Sequence, residues 1–66
     1  MRIEVNGEPL DLDEPVRLGA LVDGRVASRK GVAVAVAGEV VPRGTWDDIE
    51  LSDGDRIEIV GAVQGG

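Results

Sequence analysis

The sequence predicts an α+β roll, a mixed sheet of four to five strands with one helix across one face. Three observations predict it. Apolar residues alternate at period two near both ends of the chain. An Asn-Gly pair follows the first alternating run. Between the runs lies one stretch whose apolar residues recur near helical spacing. With 66 residues the chain is one domain at most. A domain of that size buries roughly 60% of the surface of its unfolded chain, which leaves no room for both a core and a deep enclosed site. The apolar fraction of 42% is ordinary for a folded domain, so disorder is not expected.

From Arg2 to Val5 the chain alternates, with Ile3 and Val5 on one face. Asn6-Gly7 then tolerates the positive φ of a tight hairpin, and Leu10 and Leu12 alternate with Asp11 on the return. Asp13-Glu14-Pro15 breaks the strand. Val16, Leu18, Leu21 and Val22 recur at helical spacing, which predicts a helix from about Arg17 to about Val26. Gly19 and Gly24 weaken that helix by about 1 kcal/mol each relative to Ala, and Gly24 is a candidate early C-cap. Arg25, Arg29 and Lys30 follow, where cations suit the negative end of the helix dipole and are otherwise simply solvated.

Val32 to Val36 reads Val-Ala-Val-Ala-Val, with a valine face and an alanine face. A central strand lying under the helix would look like this. The alanine face is either tolerated surface or a flat patch for a partner, and the sequence leaves both open. Gly38-Glu39 turns the chain into Val40 and Val41, and Pro42 ends that segment. Trp46, the lone aromatic, reads as a core lid rather than a binding anchor. Leu51 to Asp55 carries turn chemistry. Arg56 to Val60 is the last strand, with Ile57 and Ile59 on one face, and Gly61 ends it. The order is β-β-α-β-β-β, and one helix packed on a sheet is the economical way to bury these residues. The expected division is a domain over residues 1–61 and a flexible C-terminal tail over 62–66.

Composition narrows the function classes. Cysteine and histidine are both absent. That removes disulfides, thiol nucleophiles, the commonest general base and the usual zinc ligands. Ser28, Ser52 and Thr45 are the only aliphatic hydroxyls, and with no histidine a triad-type hydrolase is excluded. No catalytic residue, metal site or bound cofactor is expected in this chain. The net charge of −6 repels phosphate backbones and anionic membranes, and one tryptophan makes no stacking platform, so neither nucleic acid nor membrane is an expected partner. A basic protein surface would be steered toward such a chain, although acidity also serves plain solubility. Nothing near Met1 resembles a charged-then-apolar leader and no apolar run could span a bilayer, so the expected location is the cytoplasm.

The C-terminus reads Ala62-Val63-Gln64-Gly65-Gly66. Five extended residues reach roughly 16–18 Å. Two glycines pass through a channel that rejects any Cβ. In a chain with ten glycines a random Gly-Gly end arises about 2% of the time, so the diglycine alone favours a meaningless tail.

The diglycine does not stand alone. Ile3-Glu4-Val5-Asn6-Gly7-Glu8, Gly31 to Val36, Gly38-Glu39-Val40-Val41-Pro42-Arg43, Trp46 and Asp53 to Val60 resemble the bacterial sulfur carriers of thiamine biosynthesis, the ThiS family. The closing Ala62-Val63-Gln64-Gly65-Gly66 is the most specific part, and the likeness covers nearly the whole chain. It departs at Ala37, where members usually have Asn, and over the glycine-rich stretch Arg17 to Lys30. The resemblance implies the β-grasp fold of ubiquitin. It also implies that the working group is the C-terminal carboxylate of Gly66, with Ala62, Val63, Gln64 and Gly65 recognised as the tail. A C-terminal carboxylate ordinarily titrates at about 3.3–3.7 and is a poor electrophile at neutral pH. Activation would come from partners: an E1-like adenylating enzyme of the ThiF type using ATP and Mg²⁺, then a sulfur donor protein, then thiazole synthase as acceptor of the thiocarboxylate sulfur. The small subunit of molybdopterin synthase shares the fold, the diglycine end and the adenylation chemistry. A protein modifier joined to lysines would need the same end.

Overall fold

The computed structural model describes residues 1–61. Strand β1 (Arg2–Val5) and strand β2 (Glu8–Asp11) form an antiparallel hairpin in which Val5 stands opposite Glu8. The two residues between them, Asn6 and Gly7, have φ of +52° and +84°, as the Asn-Gly pair predicts. Helix α1 (Leu18–Asp23) crosses one face of the sheet. Strand β3 (Val32–Val36), the two-residue strand β4 (Glu39–Val40), a 3₁₀ segment (Arg43–Asp48) and strand β5 (Arg56–Gly61) complete the chain. No helix of the described residues is long and apolar enough to cross a membrane.

The five strands form one sheet in the order β2-β1-β5-β3-β4. β5 runs parallel to β1 and antiparallel to β3. The strands of the N-terminal hairpin and the C-terminal strand thus lie side by side, giving the β-grasp roll. Periodicity within each strand carries no information about this long-range pairing. The central position belongs to β5 and not, as the two apolar faces of Val32–Val36 suggest, to β3, which is interior but one place further out.

The helix is shorter than the expected Arg17–Val26. It ends at Asp23 with Gly24 as C-cap, in the right-handed region rather than the left-handed one typical of glycine caps. The Arg25 N–H reaches the Val22 carbonyl, three residues back, at 2.9 Å, so the last turn tightens, and the Val26 N–H shares the same carbonyl at 3.0 Å. Residues beyond it must lead the chain up to the start of β3.

The core collects Ile3, Val5, Leu18, Leu21, Val22, Val34, Trp46, Leu51 and Ile57. Every strand contribution comes from the face predicted by period-two alternation. Trp46 is the lid that the sequence suggests: it is buried, and its indole Nε1–H donates to the Val41 carbonyl at 3.1 Å. The 3₁₀ segment carrying it has no apolar period of its own and is not legible beforehand. Its packing against α1 fixes it.

Candidate functional site: the root of the C-terminal tail

The residues expected to carry the chemistry, Ala62, Val63, Gln64, Gly65 and Gly66, lie outside the described residues. The structure places the point from which they continue. Gly61 closes β5, the middle strand, and stands opposite Val32, the first residue of β3. As the middle strand, β5 has a neighbour on each side.

On the β3 side the anchor is an unbroken ladder. Val32 through Val36 pair in register with Gly61 through Ile57. On the other side β1 ends at Val5, and the side chain of Asn6 takes over. Its Oδ1 accepts from the Ile59 N–H at 2.8 Å, and its Nδ2 donates to the Ile59 carbonyl at 3.3 Å. The carboxamide thus imitates one more residue of strand and holds β5 to within two residues of the tail root. Sequence reasoning reads Asn6 only as a turn residue. The signal that would have found this second role is a carboxamide at the very end of a strand flanking the C-terminal one.

The start of β3 is fixed in turn by Arg29. Its guanidinium is forked between two carboxylates. Nε and Nη2 bond Asp23 at 2.7 and 2.9 Å, while Nη2 and Nη1 bond Asp47 at 2.9 and 3.2 Å. The same group lies over the Trp46 ring, 5.6 Å from its centroid. Its hydrogen bonds hold the carboxyls of Asp23 and Asp47 below their ordinary titration range. The Arg29 carbonyl accepts from the Val32 N–H at 3.2 Å and from Arg43 Nη1 at 3.3 Å. A chain of contacts therefore runs from helix α1 through Arg29 to the strand that borders the tail root. The three basic residues after the helix read as dipole partners. Of these, Arg29 instead binds two specific aspartates. Gly19 makes room for the clamp, because a Cβ there would collide with the Asp47 carboxylate and come within 2.7 Å of Arg29 Nη2.

Among the described residues no element covers the sheet face turned away from the helix. Ala33, Ala35, Val40, Glu58 and Val60 stand on it by register, and Val40 and Val60 are exposed. At the end of the sheet opposite the tail root, an open groove of about 300 Å³ is lined by Arg2, Ile3, Glu4, Pro9, Asp53, Gly54 and Arg56. There Arg2 is already bound to Asp11, with Nε to Oδ1 at 2.8 Å. Among the described residues no three His, Cys, Asp or Glu side chains are placed to hold a metal ion. Ala37, the position that departs from the resembled pattern, has φ of +54°. An asparagine is favoured in that left-handed conformation and an alanine is not.

Known proteins place the whole chain. The ThiS family profile matches residues 2–66. The crystal structure of a thiamine biosynthesis protein (ThiS) from Geobacter metallireducens superposes with a TM-score of 0.82 at 33% identity, covering 100% of both chains. A thiazole synthase from Magnetococcus marinus is 36% identical over 66 residues, and one from Paramagnetospirillum magneticum 30%. All of this chain is matched in each case, yet it spans only 20% of the length of those two relatives. An uncharacterized protein, ycf40, of Porphyra purpurea is 28% identical over 64 residues and is matched over 90% of its length. The mixed five-stranded sheet under one helix is thus shared with the Geobacter protein, and with the family profile matching residues 2–66 the chain belongs to the ThiS family.

Proposed function

We propose that this protein carries sulfur for thiamine thiazole synthesis as an acyl group at Gly66. One observation carries the reading: the family match runs through residue 66, so it takes in the C-terminal end on which this chain has its two glycines. The two thiazole synthases with a stretch similar to the entire chain support a role in the same process.

The chemistry divides between this chain and its partners. The Gly66 carboxylate attacks the α-phosphorus of ATP on an adenylating enzyme of the ThiF type, and pyrophosphate leaves. The mixed anhydride is electrophilic at its acyl carbon. A sulfur nucleophile from a donor protein attacks there, and AMP departs with the bonding electron pair. With a persulfide as the donor group, the product is an acyl disulfide; a second thiol attacks its donor-side sulfur, a disulfide forms there, and the thiocarboxylate leaves with the bonding pair on Gly66, which passes its sulfur to thiazole synthase. ATP and Mg²⁺ belong to the partner. The carrier acts as a substrate and not as an enzyme, and with neither cysteine nor histidine it has no soft nucleophile of its own to intercept the activated acyl group. Work of this kind belongs in the cytoplasm, where ATP is available.

The fold's contribution is presentation. A tail rooted in a strand that β3 pairs as far as Gly61, and that the Asn6 side chain holds at Ile59 on the other side, loses less freedom on entering an enzyme than one rooted in a loop. Intact mass spectrometry tests the reading. Incubation with the adenylating enzyme, ATP, Mg²⁺ and a sulfur donor should add the mass difference between sulfur and oxygen, located on the last residue. Deleting Gly66 should abolish it. A chain that gains sulfur without Gly66 would refute the assignment.

A further inference from the structure

The Asn6 carboxamide meets the backbone of a single residue, Ile59, with both of its polar atoms. The ladder shows which groups it stands in for. Along β1 the Glu4 N–H donates to the Asp55 carbonyl and the Asn6 N–H to the Ile57 carbonyl, both at 2.9 Å. In a parallel pair the bonds recur evenly along the strand. The next rung would set the carbonyl of residue 6 against the Ile59 N–H and the N–H of residue 8 against the Ile59 carbonyl. β1 does not supply that rung, because the chain has turned at Asn6-Gly7 and Glu8 already faces Val5 in β2. Asn6 Oδ1 takes the place of the carbonyl at 2.8 Å, and Nδ2 that of the N–H at 3.3 Å.

Few side chains fit this position. The backbone of residue 6 has φ of +52°, which glycine, asparagine and aspartate adopt most readily. Glycine has no side chain to reach β5. Aspartate offers acceptors alone, and one of its oxygens would face the Ile59 carbonyl. Asparagine joins a donor and an acceptor on a short stem. The hairpin by itself asks for no such pair, since Asp-Gly or Gly-Gly makes the same turn.

The place of these bonds gives them a use. On the β3 side the ladder holds β5 as far as Gly61. On the β1 side strand pairing ends at Ile57, and Asn6 carries the support on to Ile59. We propose that Asn6 is a positioning residue for the loading of Gly66: its carboxamide holds the end of β5 in place before the adenylating enzyme binds. The inference rests on the proposed function and deepens it. Order that exists before binding spares the complex the cost of creating it. The support acts alike on the bound ground state and the transition state, so its loss falls on KM and leaves kcat alone.

Asn6→Gly isolates the clamp, since glycine accepts the positive φ and only the carboxamide is lost. The control is Thr45→Ala, which deletes the 2.7 Å hydrogen bond from Thr45 Oγ1 to the Pro42 carbonyl and leaves β5 untouched. Initial rates of thiocarboxylate formation are measured by intact mass across concentrations of the full chain, with a ThiF-type adenylating enzyme, ATP, Mg²⁺ and a sulfur donor. In Asn6→Gly the KM for the carrier should rise roughly three- to tenfold, the factor that the net worth of one hydrogen bond supplies, with kcat unchanged. Asn6→Asp, which accepts but does not donate, should raise KM in the same direction. Thr45→Ala should keep the wild-type KM. Hydrogen exchange at the Ile59 amide should quicken in Asn6→Gly and not in Thr45→Ala. An unchanged KM or an unchanged Ile59 exchange rate in Asn6→Gly overturns the inference. A fall in kcat alone overturns it as well. So does a KM that rises as far in Thr45→Ala, because the effect would then follow general stability. If the wild-type chain is loaded while KM fails to move, only this inference fails; a wild-type chain that never gains the mass removes the functional reading and this inference with it.

Discussion

Strand β3 shows two faces of one element doing opposite things. Val34 on the inner face is 1% exposed and lies in the core with Leu18, Trp46 and Ile57. Ala33 and Ala35 on the other face meet no covering element among the described residues and lead instead to Val40 and Val60. One residue of register separates the two. The inner face supplies the stability of the domain, while the outer face is available for recognition. Changes on the two faces should therefore fall on different measurements.

The largest expected effect is on the inner side. Trp46→Ala removes the lid and should cost about 3–5 kcal/mol. The whole domain is worth only roughly 3–10 kcal/mol at typical stability per residue. The expected outcome is a chain largely unfolded, or unfolding at much lower urea, by circular dichroism.

Gly19→Ala comes next. The added methyl collides with the Asp47 carboxylate and crowds the Arg29 guanidinium, an overpacking worth about 1–3 kcal/mol. Replacing glycine inside a helix returns about 1 kcal/mol of that. A net lower urea midpoint is expected. Combining Gly19→Ala with Asp47→Ala should cost less than the sum of the two, because the collision partner is gone.

Acid should loosen the same clamp. Arg29 lowers the carboxyls of Asp23 and Asp47, and Arg2 lowers that of Asp11, from an ordinary value of 3.8. Groups with lowered folded values contribute above that ordinary value, and the contribution is lost as pH falls through the folded ones. The urea midpoint should therefore stay level from neutrality to about pH 5 as far as these groups are concerned, and decline below about pH 4. In Arg29→Gln the neutral-pH midpoint should be lower and the acid decline shallower.

Ala37→Asn should act the other way. A non-glycine residue held at φ of +54° carries a cost that asparagine reduces. A gain of up to about 1 kcal/mol is expected in urea unfolding. Smallest of all, Val40→Ser should change stability by no more than about 0.5 kcal/mol, as exposed positions do. A large loss of stability there would mean that the outer face is structural after all, and the contrast between the faces would fail.

How much was legible beforehand differs by element. Ile3, Val5, Val34 and Ile57 are identified as core by alternation alone, because a strand puts every second side chain on one side. Asn6-Gly7 announces its hairpin. Helical spacing at Leu21, Val22 and Val26 predicts a longer helix than forms, because Gly24 and the route to β3 end it at Asp23. The 3₁₀ segment around Trp46 and the second role of Asn6 were missed. Both depend on partners far along the chain, at residues 18–23 and at Ile59. The tail residues were identified by resemblance, and Gly61 is as far toward them as the described structure goes.

The sequence by itself determined the strand positions, the tight turn, which side of each strand is apolar, and a chemistry that excludes catalysis by cysteine or histidine. These are local properties, set by side-chain identity and a period of two. Tertiary structure alone decided that β5 lies between β1 and β3, that Arg29 is forked between Asp23 and Asp47, and that Val40, Ala35, Ala33 and Val60 meet on one face. Those depend on which distant segments pair, and pairing is fixed by burying the whole apolar set at once rather than by any stretch of residues read alone.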